Sequence, residues 1–578
     1  MSSESLRVVA DEWFKLFAAA LQTANIVGIT SSFLPSGWLR DVLTFSWNNR
    51  SLAGRDKIAA YLQNTLAKAK IADVVLDDTP GLSPQPSALN PNWVASGFTY
   101  TTAIAIGQGY FHLAKDTDGA WKAQLVFMLV TDLKGYEENG PEQGIYEGHT
   151  RPWIDVHSER RQKIEDNPYV IIVGAGQTGL TIAARFRQMN IPSLVVEANS
   201  RVGDVWRKRY PSLTLHTPRS HHSLLYQPYP QNWPIYTPRD KLADWLEHYA
   251  LSQDLVVWTN SRPLPTPTFD FSTKKWTVVI DKNGTQVTRH PAHIVLATGT
   301  LGKPRYPDIA NKDVFRGITI HACNYAGGHP FSGKRVVVIG AGNTSADVCQ
   351  DLVVQSAKSV TMVQRSSTCV VSPKSVEATI TRAWPEGVPP QVSDLKYMAY
   401  PLSFFKGFLR QFEKEAWDRD RDLHEGLIKA GLKLNMGTDG SGIAPLLYER
   451  LGGKRYWIDV GCAEFISAGK IQIKHGVEPE YFTEDTLVFK DGTALPADVV
   501  IFATGYHNIR DSMKEIFGEE TIERTSPVWG MDEEGELRGC YRPTGHPGLW
   551  YGAGDFVNSR FSSKQLASAL EFRVVQAI

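Results

Sequence analysis

Two glycine-rich turns stand in this chain where a phosphate-bearing ligand would need them. Tyr169–Leu180 reads YVIIVGAGQTGL and Arg335–Val348 reads RVVVIGAGNTSADV. Each follows a short apolar, β-branched run and opens a helical pattern. Gly174, Gly176 and Gly179 in the first turn, and Gly340, Gly342 and Ser345 in the second, let the backbone approach a pyrophosphate at a helix N-terminus. The residues after each turn make the two unequal. Ser193–Val196 reads as a second strand ending at Glu197, 23 positions after Gly174. A carboxylate there accepts hydrogen bonds from ribose hydroxyls and repels a 2′-phosphate, which fits the ADP half of FAD. After the second turn the strand Ser359–Val363 ends in Gln364-Arg365-Ser366, without a carboxylate. The Arg365 guanidinium fits a 2′-phosphate, so this turn reads as a site for NADPH rather than NADH. A packing turn with a surface glutamate, and a plain surface cation at Arg365, are the alternatives. Two dinucleotides in one chain imply flavin redox chemistry fed by a nicotinamide.

The elements that must position these turns are α/β from about Pro168 onward. Before them, residues 1–150 carry no nucleotide motif. Leu6, Val9, Trp13, Phe17 and Leu21 have the spacing of an amphipathic helix, and Arg55–Lys68 predicts a second. Asn92–Ala105, Gly109–Leu113 and Trp121–Leu133 read as strands, with Asp116–Gly119 turning a hairpin. Helices followed by antiparallel strands predict an α+β module, which resembles the cone-shaped nuclear-transport-factor-2/SnoaL-like fold. A structural or oligomerising role is the plainer reading of it, and ligand binding is the other. Gly135–Asp166 reads as the linker to the next unit.

At 578 residues the chain is too long for one core. Its formal net charge of zero removes any electrostatic case for nucleic acid. No apolar run is long enough to span a bilayer, and the start MSSESLRVVADEWFKLF lacks the pattern of a secretory signal. A cytoplasmic location is expected. The five cysteines are scattered without a CxxC pair, which argues against a disulfide framework, a zinc site or a thiol-based reductase.

Between the turns, Phe315, Gly317, His321 and Tyr325 satisfy F-x-G-x-x-x-H-x-x-x-Y in full. This signature resembles the flavin-containing monooxygenase family, including the plant YUCCA-type enzymes. Asn199–Pro218 resembles the family's stretch after the second FAD strand. Ile294–Gly299 (IVLATG) and Val500–Tyr506 (VIFATGY) match its crossover strands, and Leu549–Arg560 resembles the C-terminal segment that reaches the flavin through Gly554 and Asp555. Related Baeyer–Villiger enzymes carry Trp where this chain has Tyr325. Two departures stand out: the common GGxW reads Gly203-Asp204-Val205-Trp206, and a family asparagine near the flavin corresponds to His216.

The resemblance implies two Rossmann-like units behind the N-terminal module. An FAD-binding domain (167–330 and 506–578) is split by an NADPH-binding domain with a helical insert (331–505). It also implies that NADPH reduces FAD, that a C4a-(hydro)peroxyflavin transfers one atom of O2 to a small organic substrate, and that Trp206 contributes to the cofactor site. His216, His321 and Asp555 are the candidates for roles in the chemistry, with His321 equally open to a structural role. Ketone oxygenation, NADPH oxidase activity without oxygen transfer, and a scaffold with a vestigial flavin site remain as alternatives. No metal site is expected: His221 and His222, adjacent on an extended strand, would point to opposite faces. Asp532–Glu536 (DEEGE) reads as a solvated loop. The aromatic run Leu395–Phe412 reads as a cap over the substrate entrance, with a membrane-surface contact or plain packing as the other readings. Homo-oligomerisation is left open.

Overall fold

The computed structural model describes residues 3–449 and 456–575. The outermost ends of the expected N- and C-terminal segments, and residues 450–455 of the expected insert, lie outside the described residues. The N-terminal module is a seven-stranded sheet whose main path runs Asn49–Ala53, Phe33–Val42, Trp121–Leu133, Ala105–Lys115, Val94–Thr101, Ala72–Leu76. Phe33–Val42 is parallel to Trp121–Leu133, and the other pairings are antiparallel. These first two strands interrupt the expected run of helices then strands. Helices Ser3–Gln22 and Arg55–Ala69 cover one face, where Trp13, Phe17, Phe98 and Phe111 pack together. The rings of Tyr100 and Phe98 fill the room left by Gly107 and Gly109, where an added Cβ would lie 2.2 Å from each ring.

The other face of this sheet is also buried. Leu43, Tyr110, Leu125 and Phe127 pack there with Val392, Leu395 and Ala399, and Phe561 lies against them. A sheet covered on both faces explains why its strand Trp121–Leu133 carries the unbroken apolar run Leu125–Val130.

Two parallel sheets follow. The first runs Val257–Trp258, Ser193–Val196, Val170–Val173, His293–Leu296, Leu549–Tyr551. All residues of its three central strands are buried, as expected of a sheet with helices on both sides. Its last strand comes from the C-terminal stretch, so this unit is assembled from two separated pieces of chain. The second sheet runs Ile318–His321, Val499–Phe502, Arg335–Ile339, Ser359–Gln364, Ile471–His475. Since Ile318–His321 already pairs in it, the second unit begins before residue 331.

Two expectations are corrected here. The 135–166 stretch is not plain linker: it contains the helix Trp153–Asp166, and its Glu138 pairs with Arg185. The acidic run 532–536 is not a solvated loop either. Glu536 is 1% exposed and forms a two-point ion pair with Arg40, at 2.6 and 2.8 Å. Glu534 meets Arg50 and the Ser51 amide. Composition made these acids look solvated, but their cations sit almost 500 residues away in sequence.

Candidate functional site

The three glycines of the first turn do different work. Gly174 has φ +108°, and a Cβ there would lie 2.6 Å from the Ala297 carbonyl oxygen. A Cβ on Gly179 would lie 1.9 Å from the Gly174 carbonyl, so this glycine lets the helix Gln177–Gln188 sit down on its own turn. Gly176 has φ −75° and nothing within 4 Å of an added Cβ. Its face is the open one, at the helix N-terminus where an anion is stabilised. Gln177 leaves Oε1 buried without a partner at the same place. Glu197 stands beside this turn: Oε2 accepts from the Ala175 amide at 2.8 Å, and Oε1 from the Asn199 amide at 2.8 Å.

In the second turn Gly340 has φ +131°, and its Cβ would lie 2.4 Å from the Ala503 carbonyl oxygen. Ser345 replaces the third glycine, and its buried hydroxyl has no partner. A cavity of about 740 Å³ opens over the turn. It runs past Gly340, Gly342, Asn343 and Ser345, reaches Arg365, Glu478 and Lys490, and takes in His321 and Tyr456. A groove of that size and lining suits a dinucleotide. Arg365 is 64% exposed at its side chain and lies 3.3 Å from Glu478.

The two sheets meet at a junction built on the helix Asn343–Val354. Asp347 grips the other unit, and Asp351, one turn further on, holds the segment that follows Ile318–His321. His216 Nε2 lies 3.4 Å from Asp347, and Tyr210 donates to the same carboxylate. His216 is partly desolvated, which opposes its charge, yet Asp347 leaves its pKa above the ordinary value. Tyr325, the last residue of the long signature, donates to Asp351 at 2.6 Å, and the Gly328 amide adds a 2.8 Å bond. Trp206 packs against the cores of both units. Asp204 accepts from the Arg201 amide and pairs with Arg207, which gives the glycine-to-Asp departure a structural use.

His321 lies among backbone atoms. Nδ1 accepts from the Cys323 amide at 3.2 Å, so Nε2 carries the hydrogen and donates to the Gly505 carbonyl at 3.1 Å. Burial lowers its pKa, and both nitrogens are engaged, one within its own turn and one tying that turn to the crossover segment Val500–Tyr506. Gly317 of the same signature is required because a Cβ would meet the Phe315 ring at 2.4 Å.

Asp555 caps the last helix, with Oδ1 accepting from the Asn558 amide at 2.9 Å. Its Oδ2 lies 3.6 Å from His221 Nε2. His221 and His222 sit in a turn rather than on an extended strand, through bonds to Pro218 and Arg219 carbonyls. They still diverge: His222 faces Tyr229, while His221 meets the edge of Trp384 and leaves Nδ1 buried without a partner. The helix Pro390–Met398 closes over this place. Its Asp394 accepts from Trp384 at 2.7 Å and forms a buried two-point pair with Arg560, at 2.7 and 2.8 Å. Sequence reasoning does not single out Asp347, Asp351 or the Asp394–Arg560 pair, and it weighs His221 only as a metal ligand. The i, i+4 spacing of Asp347 and Asp351 was the one available signal.

The open Gly176 face, the partnerless polar atoms at both helix heads and the cavity over the second turn all fit two dinucleotides. Among the described residues, no three potential metal ligands converge and no helix is long and apolar enough to cross a membrane.

Residues 171–384 match the family model described as pyridine nucleotide-disulphide oxidoreductase. The chain is 29% identical over 421 residues to a probable indole-3-pyruvate monooxygenase, YUCCA9, of Arabidopsis thaliana, covering 72% of this chain and 89% of that one. It is 28% identical over 362 residues to the indole-3-pyruvate monooxygenase YUCCA1 of Oryza sativa subsp. japonica, covering 62% and 82%. Among solved structures, cyclohexanone monooxygenase bound to epsilon-caprolactone shares the fold, with TM-score 0.51 at 15% identity over 71% of this chain and 88% of that one.

Proposed function

We propose, for a chain that belongs to the flavin-monooxygenase-like flavoproteins, an FAD- and NADPH-dependent monooxygenase that places one atom of O2 in a small organic substrate. The observation that carries this reading is the pair of glycine turns with unequal flanks, Glu197 beside one and Arg365 beside the other. The expected Rossmann-like and cone-shaped units are the matching architectural reading.

Bound FAD supplies the oxygen chemistry, fed with hydride by the nicotinamide. The chain's part is binding, orientation and exclusion of water. The Gly176 face and the amides heading Gln177–Gln188 hold the FAD pyrophosphate, and Glu197 takes the ribose hydroxyls. The Gly342 turn holds the NADPH pyrophosphate, and Arg365 takes its 2′-phosphate. Gly554 and Asp555 bring the last helix to the flavin. His216 keeps the hydrogen of Nε2 directed at Asp347, and His321 ties the turn after Ile318–His321 to the crossover segment Val500–Tyr506; both act as positioning residues. Trp384 and Tyr397 form the aromatic wall of the cap. The relatives' names give indole-3-pyruvate as their substrate, so arylpyruvates are the first compounds to try, with ketones, amines and thioethers beside them.

The test is turnover under ¹⁸O2 with NADPH. One labelled oxygen in the organic product and one in water, with product matching NADPH consumed, is the expected result. NADPH oxidation that yields only hydrogen peroxide across the panel overturns oxygen transfer and leaves an oxidase. A protein that purifies without FAD and takes none up overturns the flavoenzyme reading altogether. Label inserted beside a ketone carbonyl identifies the Baeyer–Villiger alternative.

A further inference from the structure

We propose that Glu478 is a second coenzyme-selecting residue: it accepts the ribose hydroxyls of an unphosphorylated nicotinamide dinucleotide, and gives up its two cations, Arg365 and Lys490, when a 2′-phosphate arrives. This inference rests on reading the groove over the second turn as the nicotinamide-coenzyme site. Glu478 Oε1 lies 3.3 Å from Arg365 Nη1, and Oε2 lies 2.8 Å from Lys490 Nζ. All three residues line the same cavity as Gly340 and Gly342.

The backbone builds this arrangement. Strand Ile471–His475 runs parallel to Ser359–Gln364, with His475 opposite Gln364. The Gly476 amide then bonds the Gln364 carbonyl at 2.8 Å, which delivers Glu478 beside Arg365. The Lys490 amide donates to the Glu478 carbonyl at 3.1 Å, so the returning hairpin places its cation on the same carboxylate.

The chemistry follows from charge and exposure. The side chains of Arg365, Glu478 and Lys490 are 64%, 43% and 58% exposed, so each ion pair is weak and readily exchanged. The hydrogen bond from Lys490, and then that from Arg365, lower the Glu478 pKa and keep it an anion at neutral pH. A phosphate carrying nearly two charges takes both cations from a carboxylate carrying one. Without that phosphate, Glu478 offers a ribose diol the same acceptor that Glu197 offers beside the first turn. The groove therefore binds both coenzymes and prefers the phosphorylated one.

The experiment is calorimetric titration of the flavin-loaded protein with NADP⁺, NAD⁺, 2′,5′-ADP and AMP, with melting temperature as the control for folding. Glu478→Gln is expected to tighten NADP⁺ and 2′,5′-ADP by about three- to tenfold and to weaken NAD⁺ and AMP by a similar factor. Lys490→Ala is expected to weaken NADP⁺ about tenfold and to leave NAD⁺ unchanged. A Glu478→Gln variant that leaves all four affinities unchanged, or weakens NADP⁺, overturns the inference. Arg365→Ala separates the two levels. If it weakens NADP⁺ far more than NAD⁺ while Glu478→Gln changes nothing, only the role of Glu478 falls. If it weakens both equally or neither, the 2′-phosphate reading of the groove falls with it.

Discussion

Gly174 and Gly176 are two residues apart and answer to different forces. At Gly174 a side chain meets the Ala297 carbonyl at a left-handed φ, so the fold itself forbids it. At Gly176 nothing in the protein opposes a side chain, and only a ligand would. Gly176→Val should therefore purify folded, with a melting temperature near wild type and without flavin. Gly174→Val should lose flavin because it fails to fold. Full FAD occupancy in Gly176→Val would remove the first turn from the cofactor site. His216 gives a pH-dependent prediction at the same scale. Its folded-state pKa is raised above 6.5, so its pairing with Asp347 stabilises fully below that value and is lost as pH rises through the folded pKa. The melting-temperature gap between wild type and Asp347→Asn should be widest near about pH 5.5 and narrow above neutrality to a constant remainder from Tyr210. A gap that is flat across this range would remove the ionic component.

The helix Pro390–Met398 is an element held at its middle and at its C-terminal end by buried arginines. Arg560 grips Asp394, and Arg40 of the N-terminal sheet donates to the Met398 carbonyl while pairing with Glu536. A cation at a helix C-terminus is favourable, and here it comes from another unit of the chain. Glu536 is held near pKa 2: burial opposes its charge, and Arg40 more than compensates. This contribution is present above the ordinary value of 4.5 and is lost as pH falls toward 2. Arg40→Met should cost about 3–5 kcal/mol in chemical unfolding, because it strips a buried carboxylate of its main partner. Adding Glu536→Leu should recover most of that loss. If the double variant is as unstable as the single one, the cost lies in the Met398 contact and the packing of Arg40 on Phe127.

As a whole molecule, the N-terminal module is integrated rather than appended. One face of its sheet forms a common core with the helix Pro390–Met398 and the last helix, and its polar edge is bolted to the 532–542 loop. Thermal unfolding should therefore show one transition, not a separate one for residues 3–133. Limited proteolysis in the exposed stretch 140–149 should nick the chain without releasing the N-terminal piece. Early release of an N-terminal fragment would show the modules to be independent.

Local pattern was enough to reveal both glycine turns, the strands beside them and the opening amphipathic helix, and to put Glu197 and Arg365 forward as the residues flanking the turns. Each of these is written in consecutive residues, by the period of an element or by a turn that only glycine accommodates. The i, i+4 carboxylates Asp347 and Asp351, the Arg40–Glu536 and Asp394–Arg560 pairs, and His221 facing Asp555 depend on partners from distant parts of the chain. A charged residue reads as solvated until folding supplies its counter-ion, and nothing local announces that supply. The fold likewise divided the work within the first turn. Two glycines answer to the protein's own backbone and one to open space, because only packing in three dimensions says what a missing Cβ would have touched.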